Sequence, residues 1–381
     1  NQGAQFADNS DNPTANVANA TKVLYNVVAA GDAIKIKNYT LNGVALESGA
    51  GKVSGGGSIT RRVLELGLVQ DSGIDKVYDG TTTLKNTATK NWNVLRDSDS
   101  TGNVKYADGS TDKNKLVTSD GTSFNITSNY MESGSADKNV KRSGGNIVDK
   151  DILYKVAING DATNYSFKKG GSVTDAENGL TLSATGKITP KDLSSAFKKV
   201  TKDYDGTTNV DPSAVAFKAG ALISGDNVAL GAHTESFQSA NVNGDGTTQV
   251  INGTAQKNWV NYSGLTLGGT DAGNYNLSST ARGLGEITPL ALNPSSINFN
   301  IGQATKEYDG LLTVKRNGSD AMTAVKDYIT SATTTVNSTT VDVLPELSVD
   351  AATYDTKDVD GGRSANRVTY TLKYTGASGN F

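Results

Sequence analysis

One motif, Lys-x-Tyr-Asp-Gly, occurs three times in this chain of 381 residues and constrains its fold more than any other feature. The three copies contain Tyr78, Tyr204 and Tyr308, which lie 126 and 104 residues apart. Self-similarity at such a spacing is typical of a chain built from repeated structural units. The length agrees, because single domains usually have about 100–150 residues.

Three further markers recur in a fixed order around this motif. They are Ile-Thr at Ile59, Ile188 and Ile287, Asn or Asp before Val at Asn139, Asn241 and Asp358, and Asn before an aromatic residue at Asn38, Asn164, Asn274 and Asn380. We therefore divide the chain into four segments. Segment A (1–60) is predicted to be the end of a preceding module, segment B (61–190) and segment C (191–289) to be whole modules, and segment D (290–381) to be a module truncated at its end.

Alternating apolar residues precede the Asn-aromatic markers and predict half-buried strands. The alternation is visible in the segments 23–27, 152–158 and 368–374. In the fourth copy, residues 260–267, the alternation of apolar and polar residues shifts by one position at Ser263-Gly264, which predicts a β-bulge. Only 211–214 and 320–329 have helical features. The expected fold is all-β, an elongated tandem array of small sandwich-like or β-grasp-like modules.

Composition excludes several classes of function. The formal net charge is −3 and neither sign forms a long block, so neither nucleic acid nor an anionic membrane surface is an expected partner. The chain has no cysteine, and therefore no disulfide framework or thiolate metal site. It also has no apolar run of 18 residues, so membrane insertion is not expected.

The Tyr-Asp-Gly motif predicts a structural turn. Asp is suited to accept local backbone N–H groups, Gly to adopt a positive φ, and the Tyr ring to pack beside the turn. The residues assigned to this role are Tyr78, Asp79, Gly80, Tyr204, Asp205, Gly206, Tyr308, Asp309 and Gly310. The Lys of each copy is interpreted as a solvated edge-strand residue that discourages mispairing, with a covalent crosslink to an Asn or Asp side chain as the alternative.

Two other groups of residues are candidate sites. Asp97, Asp99 and Asp108 partly match the spacing of a calcium-binding loop, but a Thr stands at its fifth position and the bidentate Glu is missing. A solvated loop is the competing interpretation, and no other cofactor is indicated. The single histidine, His233, has no surrounding catalytic motif, so we expect no enzymatic activity.

Taken in order, these motifs resemble the YDG-type repeats of filamentous-haemagglutinin-like adhesins. The resemblance is carried most clearly by Lys202-x-Tyr204-Asp205-Gly206, by Asp271-Ala-Gly-Asn-Tyr and by Ile287-Thr-Pro. It implies a large exoprotein of a Gram-negative bacterium, often exported by two-partner secretion and present at the cell surface. It also implies neighbouring repeats of the same chain, and an outer-membrane transporter during secretion, as partners.

We therefore expect a structural stalk that mediates adhesion or displays a binding tip. The alternative is a module that binds a host or bacterial surface glycan or protein. Such a module would use the variable arms between the Tyr-Asp-Gly and Asn/Asp-Val markers, because loops and insertions carry function while the frame carries packing. These arms are residues 85–135 and 311–350.

Overall fold

A computed structural model describes residues 3–28, 38–41, 43–45, 50–84, 103–107, 114–336, 338–359, 366–376 and 378–381. Strand is far more abundant than helix in the described part of the chain, which confirms the all-β prediction. It divides into two compact units, Asn1–Pro190 and Lys191–Phe381. Unit 1 thus contains segments A and B, and unit 2 contains segments C and D. None of the described helices is long and apolar enough to span a membrane.

Unit 1 contains short strands and three one-turn 3-10 helices among its described residues. The strands are β1 (Ala4–Ala7), β2 (Lys22–Val28), β3 (Thr40–Leu41), β4 (Val44–Ala45), β5 (Ala50–Gly56), β6 (Arg62–Leu68), β7 (Lys76–Val77), β8 (Val104–Tyr106), β9 (Ser123–Glu132), β10 (Ser135–Ala136), β11 (Arg142–Ser143), β12 (Asn146–Ile147), β13 (Lys150–Asn159), β14 (Tyr165–Lys169), β15 (Ser172–Asp175), β16 (Leu180–Gly186) and β17 (Ile188–Thr189). The 3-10 helices are Thr118–Asp120, Ala162–Asn164 and Ala176–Asn178.

Two four-stranded sheets form the core of segment B. One is antiparallel, with the order β10-β9-β13-β16, and the other is mixed, with the order β15-β14-β6-β8 and a parallel β14–β6 pair. Phe124 of β9 joins them, since its ring lies 6.0 Å from that of Tyr106 and 6.4 Å from that of Phe167. Segment A contributes the antiparallel sheet β1-β2-β5.

Strand β13 shows how the sequence pattern produces this core. Ile152, Tyr154 and Val156 are buried and alternate with the more exposed residues Asp151, Leu153 and Lys155, as the period of two predicts. Burying each such side chain contributes about 1.5–3 kcal/mol. In β2, however, Leu24 is buried while Tyr25 is exposed. The predicted inward face of that strand, with Val23, Tyr25 and Val27, is therefore wrong.

Unit 2 has the same mixture of short strands and single turns of helix in its described residues. The strands are β18 (Lys191–Asp192), β19 (Val200–Asp203), β20 (Ala229–Leu230), β21 (Thr234–Phe237), β22 (Gln249–Ile251), β23 (Thr254–Gln256), β24 (Trp259–Ser263), β25 (Leu267–Gly268), β26 (Tyr275–Asn276), β27 (Thr280–Thr288), β28 (Asn298–Ile301), β29 (Ile329–Val336), β30 (Thr339–Asp342), β31 (Leu347–Tyr354) and β32 (Val368–Tyr374). The helices are the 3-10 turns Pro212–Ala214, Ala272–Asn274, Pro294–Ser296, Lys326–Tyr328 and Leu344–Glu346, and the α-helix α1 (Met322–Val325). Helix therefore occurs within both stretches that were predicted to contain it.

The main sheet of segment C has the order β19-β27-β24-β21, with β19 and β27 parallel and the other pairs antiparallel. Its core is built around Phe197, whose ring stacks on that of Tyr262 at 4.4 Å. Segment D contains the antiparallel sheet β28-β29-β30 and the pair β31-β32. Its core includes Val314, Val325 and Ile329.

The β-bulge predicted at Ser263-Gly264 lies at an irregularity of the β24–β27 ladder. Ser263 pairs with Thr280, and the amide of Leu265 donates to the carbonyl of Ser279 at 3.0 Å. Gly264, with a φ of +69°, is therefore one extra residue between the two pairs, as in a bulge with a left-handed Gly. Leu267 then starts the short strand β25, which pairs with β20.

Candidate functional site

The three Lys-x-Tyr-Asp-Gly motifs form the same turn. In the first, Asp79 Oδ1 accepts the backbone N–H of Thr81 at 3.0 Å and the hydroxyl of Thr81 at 2.8 Å. Gly80 has a φ of +78°, a value that residues with a side chain rarely adopt. The Asp side chain thus replaces a backbone acceptor and Gly supplies the reversal.

The lysine of each motif closes this turn from the inside. Lys76 Nζ donates to Asp79 Oδ1 at 2.7 Å, to the carbonyl of Thr81 at 2.7 Å and to the carbonyl of Thr83 at 2.9 Å. Its side chain is only 3% exposed. The interpretation of these lysines as solvated edge residues is therefore wrong, since Lys76 is buried where the turn carbonyls and the Asp carboxylate converge.

The second and third copies repeat this arrangement. Lys202 Nζ lies 2.7 Å from both Asp205 Oδ1 and the carbonyl of Thr207, and Asp205 accepts the N–H of Thr207 at 2.9 Å. In segment D, Lys306 Nζ lies 2.7 Å from both Asp309 Oδ1 and the carbonyl of Leu311. The glycines, Gly206 and Gly310, have φ values of +73° and +77°. Each turn thus uses its own Lys, Asp and Gly. The second turn lies in segment C and the third in segment D, both within unit 2.

Hydrogen bonding lowers the pKa of these aspartates. Burial by itself would raise the pKa of Asp79 and of Asp205, but hydrogen bonds from Lys76 or Lys202, and from the residue two positions later, outweigh it. Lys306, and then Lys315 at 2.8 Å, lower the pKa of Asp309 strongly. The charged form of each Asp is therefore the one that stabilises the turn.

An aromatic residue that sequence reasoning missed completes each turn. The ammonium group of Lys76 lies 5.5 Å from the ring centre of Tyr130, and those of Lys202 and Lys306 lie 5.4 Å and 5.6 Å from the rings of Phe237 and Tyr354. In each case the amide of the aromatic residue donates at 2.8 Å to the carbonyl of the residue four positions after the motif Tyr. A cation over an aromatic face is an attractive arrangement.

The Tyr of the motif differs in burial among the three copies. Tyr78 is buried, Tyr204 is half-buried, and Tyr308 is 61% exposed. The ring of Phe381 meets that of Tyr204 edge-on at 5.1 Å. Burial raises the pKa of Tyr204, and the nearby carboxylates of Glu346 and Asp205 raise it further. The motif Tyr is therefore not part of the turn itself, and in segment C it contacts Phe381 of segment D.

The Ile-Thr marker pairs with the lysine strand of its own segment. Ile188 is opposite Lys76 in the parallel pair β17–β7, and Ile287 is opposite Lys202 in the parallel pair β27–β19. The amide of Tyr78 donates to the carbonyl of Thr189 at 2.8 Å. In segment C, the amide of Tyr204 donates in the same way to the carbonyl of Thr288 at 2.9 Å. The marker is thus the closing strand of a segment, placed beside the turn.

Neighbouring segments meet through an Asn–Val hydrogen bond within each unit. Between segments A and B, Asn164 Oδ1 accepts the backbone N–H of Val17 at 2.7 Å, and Asn16 Nδ2 donates to Asp161 at 2.7 Å. The pair Asn16-Val17 is a copy of the Asn-Val marker that sequence reasoning missed. Asn164 belongs to the Asn-aromatic marker of segment B. We call this contact the Asn–Val junction.

A second Asn–Val junction lies between segments C and D. Asn380 Oδ1 accepts the N–H of Val242 at 2.9 Å, and Asn380 Nδ2 donates to Asn241 Oδ1 at 3.0 Å. Asn380 is buried, and its carbonyl accepts the N–H of Leu290 at 2.9 Å. Phe381 contributes the ring contact with Tyr204. The Asn-aromatic marker of one segment therefore docks on the Asn-Val marker of the segment before it.

In segments B, C and D, a polar side chain near the start of the next long strand donates a hydrogen bond to the first residue of the Asn/Asp-Val marker. Asn258 Nδ2 donates to the carbonyl of Asn241 at 2.8 Å, and Asn366 Nδ2 donates to that of Asp358 at 3.2 Å. In segment B this position is Lys150, which donates to the carbonyl of Asn139 at 2.9 Å. These residues were not predicted, because they lie at or just before the start of a strand and resemble ordinary residues at strand ends.

The remaining candidates do not by themselves form a site in the described residues. The proposed calcium ligands Asp97, Asp99 and Asp108 lie outside the described residues, and within them no cluster of three or more His, Asp or Glu could hold a metal. His233 Nε2 lies 3.6 Å from Glu235, and His233 Nδ1 lies 2.8 Å from the carbonyl of Gly231. The arm 311–350 contributes α1, β29, β30 and buried residues to segment D, so its described part is integrated into the core.

Comparison with known families identifies one domain. The family model of the YDG domain matches residues 189–282, which cover nearly all of segment C. A YDG domain is therefore present in the chain, and the turn at Tyr204 lies within it. Searches of curated proteins and of solved structures find no match.

Proposed function

We propose that the chain is a structural repeat region of a large secreted or cell-surface bacterial adhesin. In this proposal non-catalytic β-modules follow one another in tandem and mediate adhesion by holding a binding tip away from the cell. The carrying observation is the recurrence of the Asn–Val junction, at 2.7 Å between segments A and B and at 2.9 Å between segments C and D. A contact reused between successive segments suits a chain that is extended by adding copies.

The YDG domain in segment C supports the proposal, and so does the resemblance of the motif series to adhesin repeats. Absence of cysteine is compatible with export of an unfolded chain through an outer-membrane transporter of a Gram-negative cell, because no disulfide would obstruct passage. The partners in this proposal are neighbouring repeats and that transporter. A glycan- or protein-binding role for the arm 311–350 has weaker support, because buried residues such as Val325 and Ile329 occupy the described part of it.

Deletion of one whole segment from the secreted parent protein tests the proposal. Removing residues 191–289 brings segment D after segment B, whose Asn139-Val140 pair has the same sequence as Asn241-Val242. We expect export, surface exposure and adhesion to persist, with a shorter distance between the cell surface and a tag beyond residue 381. The matched control removes 99 residues out of phase, 240–338, and should impair folding and surface exposure. Loss of adhesion with intact surface exposure in the in-phase deletion would contradict a stalk and identify segment C as a binding module.

A further inference from the structure

Segment C carries a histidine and a glutamate whose polar atoms meet at the rim of its core. Glu235 lies on β21, and His233 directly precedes that strand. Residues two positions apart on an extended chain face the same side, which here is the side of the buried Phe237. The side chains of His233 and Glu235 are only 13% and 7% exposed. Two ionisable side chains are therefore largely removed from water.

The polar atoms that these two side chains turn toward each other are both acceptors. His233 Nδ1 lies 2.8 Å from the carbonyl of Gly231, and since a carbonyl only accepts, this nitrogen carries the hydrogen of the neutral ring. His233 Nε2 is then a lone pair, and it lies 3.6 Å from Glu235 Oε2. Both atoms are buried and have no hydrogen-bond partner among the described residues. Buried polar atoms without a partner call for an ion or water that binds them.

The separation of the two atoms fits a metal ion better than a shared proton. A hydrogen bond between nitrogen and oxygen requires about 2.7–3.2 Å, which is shorter than the 3.6 Å found here. Zinc binds imidazole nitrogen and carboxylate oxygen at about 2.1 Å, so two such ligands at a tetrahedral angle lie about 3.4 Å apart. The bond from Nδ1 to the carbonyl of Gly231 is also the contact that normally orients a metal-binding histidine.

Segment B shows that packing does not require a histidine and a glutamate at these positions. Tyr130 and Phe237 are the equivalent aromatic partners of the turn lysines, so Ile126 and Ser128 correspond to His233 and Glu235. Both residues of segment B are buried. An apolar and a small side chain thus fill the same place in a related core. Burying two ionisable groups instead is costly unless something binds them.

We propose that His233 and Glu235 bind a divalent transition-metal ion of the zinc type, with water molecules completing its coordination. Imidazole and carboxylate together suit zinc, whereas calcium and magnesium prefer sites made of oxygen alone. With two protein ligands, the site should bind more weakly than a structural zinc site with four. The proposal is independent of whether the chain acts as a stalk.

Backbone contacts hold both ligands in place. The amide of Gly231 donates to the carbonyl of Thr266 at 2.9 Å, which fixes the carbonyl that orients the histidine ring. Glu235 lies opposite Tyr262 in the antiparallel pair β21–β24. A bound ion would link the loop that contains His233 to the strand that contains Glu235, and its binding free energy would add to the stability of segment C.

Because His233 is the only histidine of the chain, nuclear magnetic resonance can observe the site directly. The full chain, labelled with ¹⁵N-histidine and free of any affinity tag, is titrated with zinc chloride. We expect a saturable change of the Nε2 signal at one zinc per chain, while Nδ1 stays protonated. Calcium chloride at the same concentration should change neither signal. No change of the Nε2 signal at millimolar zinc, or loss of the Nδ1 proton in its place, would overturn the proposal.

Variants that carry the residues of segment B separate metal binding from folding. His233→Ile should abolish zinc binding measured by calorimetry, and Glu235→Ser should weaken it at least about tenfold, which corresponds to 1.4 kcal/mol. Glu286→Gln, at an exposed glutamate of the same segment, is the matched control and should leave zinc affinity unchanged. Zinc should raise the melting temperature of the wild type but not that of His233→Ile. Equal zinc binding by these two proteins would place the ion elsewhere and overturn the proposal.

Discussion

The buried lysine of the first turn gives the sharpest prediction about stability. Replacing Lys76 by Met keeps most of the aliphatic volume but removes the ammonium group. That group donates to Asp79 and to the carbonyls of Thr81 and Thr83, at 2.7–2.9 Å. Its removal leaves a partly buried carboxylate and two carbonyls without this donor. Breaking one side of a fully buried ion pair costs about 3–5 kcal/mol. Because the Asp79 side chain is 31% exposed and keeps the Thr81 donors, Lys76→Met should destabilise unit 1 by about 3 kcal/mol, the lower end of that range.

Two other lysines provide an internal comparison. Lys199→Met removes an exposed ion pair with Glu286 and should cost less than about 1 kcal/mol. Lys306→Met should cost less than Lys76→Met, because Lys315 remains 2.8 Å from Asp309 and the Lys306 ammonium donates to only one carbonyl. The expected order of the losses is therefore Lys76 first, Lys306 second and Lys199 last.

Hydrogen exchange followed by mass spectrometry on the full chain measures these effects locally. The amides of Tyr78 and Tyr130 each donate across the first turn, to Thr189 and Thr82 respectively. A loss of about 3 kcal/mol accelerates their exchange on the order of 100-fold. If Lys76→Met changes exchange at these amides no more than Lys199→Met does, the lysine does not hold the turn and the reasoning is refuted.

Three further predictions concern segment B. Tyr130→Phe removes the hydroxyl that donates to the buried carbonyl of Ile74 and should lower the urea midpoint by an amount equivalent to about 1–3 kcal/mol; an unchanged midpoint would contradict this. Gly186→Ala places a Cβ atom 1.8 Å from that carbonyl and should push β16 away from the segment before β7, as a drop in melting temperature would show. Gly67→Ala, which also lies in a strand but has open space at its Cβ, is the matched control and should leave the melting temperature nearly unchanged. Because the pKa of Asp79 is lowered on folding, its stabilising effect is complete above the unfolded value of about 3.9 and is lost as the pH falls through the folded value. The difference in unfolding free energy between wild type and Asp79→Asn should therefore shrink only below about pH 3.9, and a difference that is constant from pH 7 to pH 2 would refute this.

The strands and turns could be predicted because local chemistry dictates them. Alternation in β13 and the Asp-Gly chemistry of the turn depend on residues close in sequence. Even Leu311, which replaces the Thr of the other two motifs, keeps the turn, because the bond to Asp309 uses the backbone N–H. The Thr hydroxyl adds to this bond without being required for it.

The lysine burial and the junctions could not be predicted, because they depend on distant residues. The aromatic partners of the lysines lie 54, 35 and 48 residues further along the chain, so no fixed spacing reveals them. Asn16-Val17 was missed because no Tyr-Asp-Gly motif precedes it in the sequence.

Small-angle X-ray scattering of the full chain, alone and with Asn164→Ala and Asn380→Ala combined, tests the central claim most directly. A compact globule of 381 residues has a radius of gyration of about 21 Å. Tandem modules joined by Asn–Val junctions predict a radius well above that value, with a stiff profile that becomes more flexible in the double variant. A radius near 21 Å, or a profile that the double substitution leaves unchanged, would contradict the proposal that these junctions organise a tandem array.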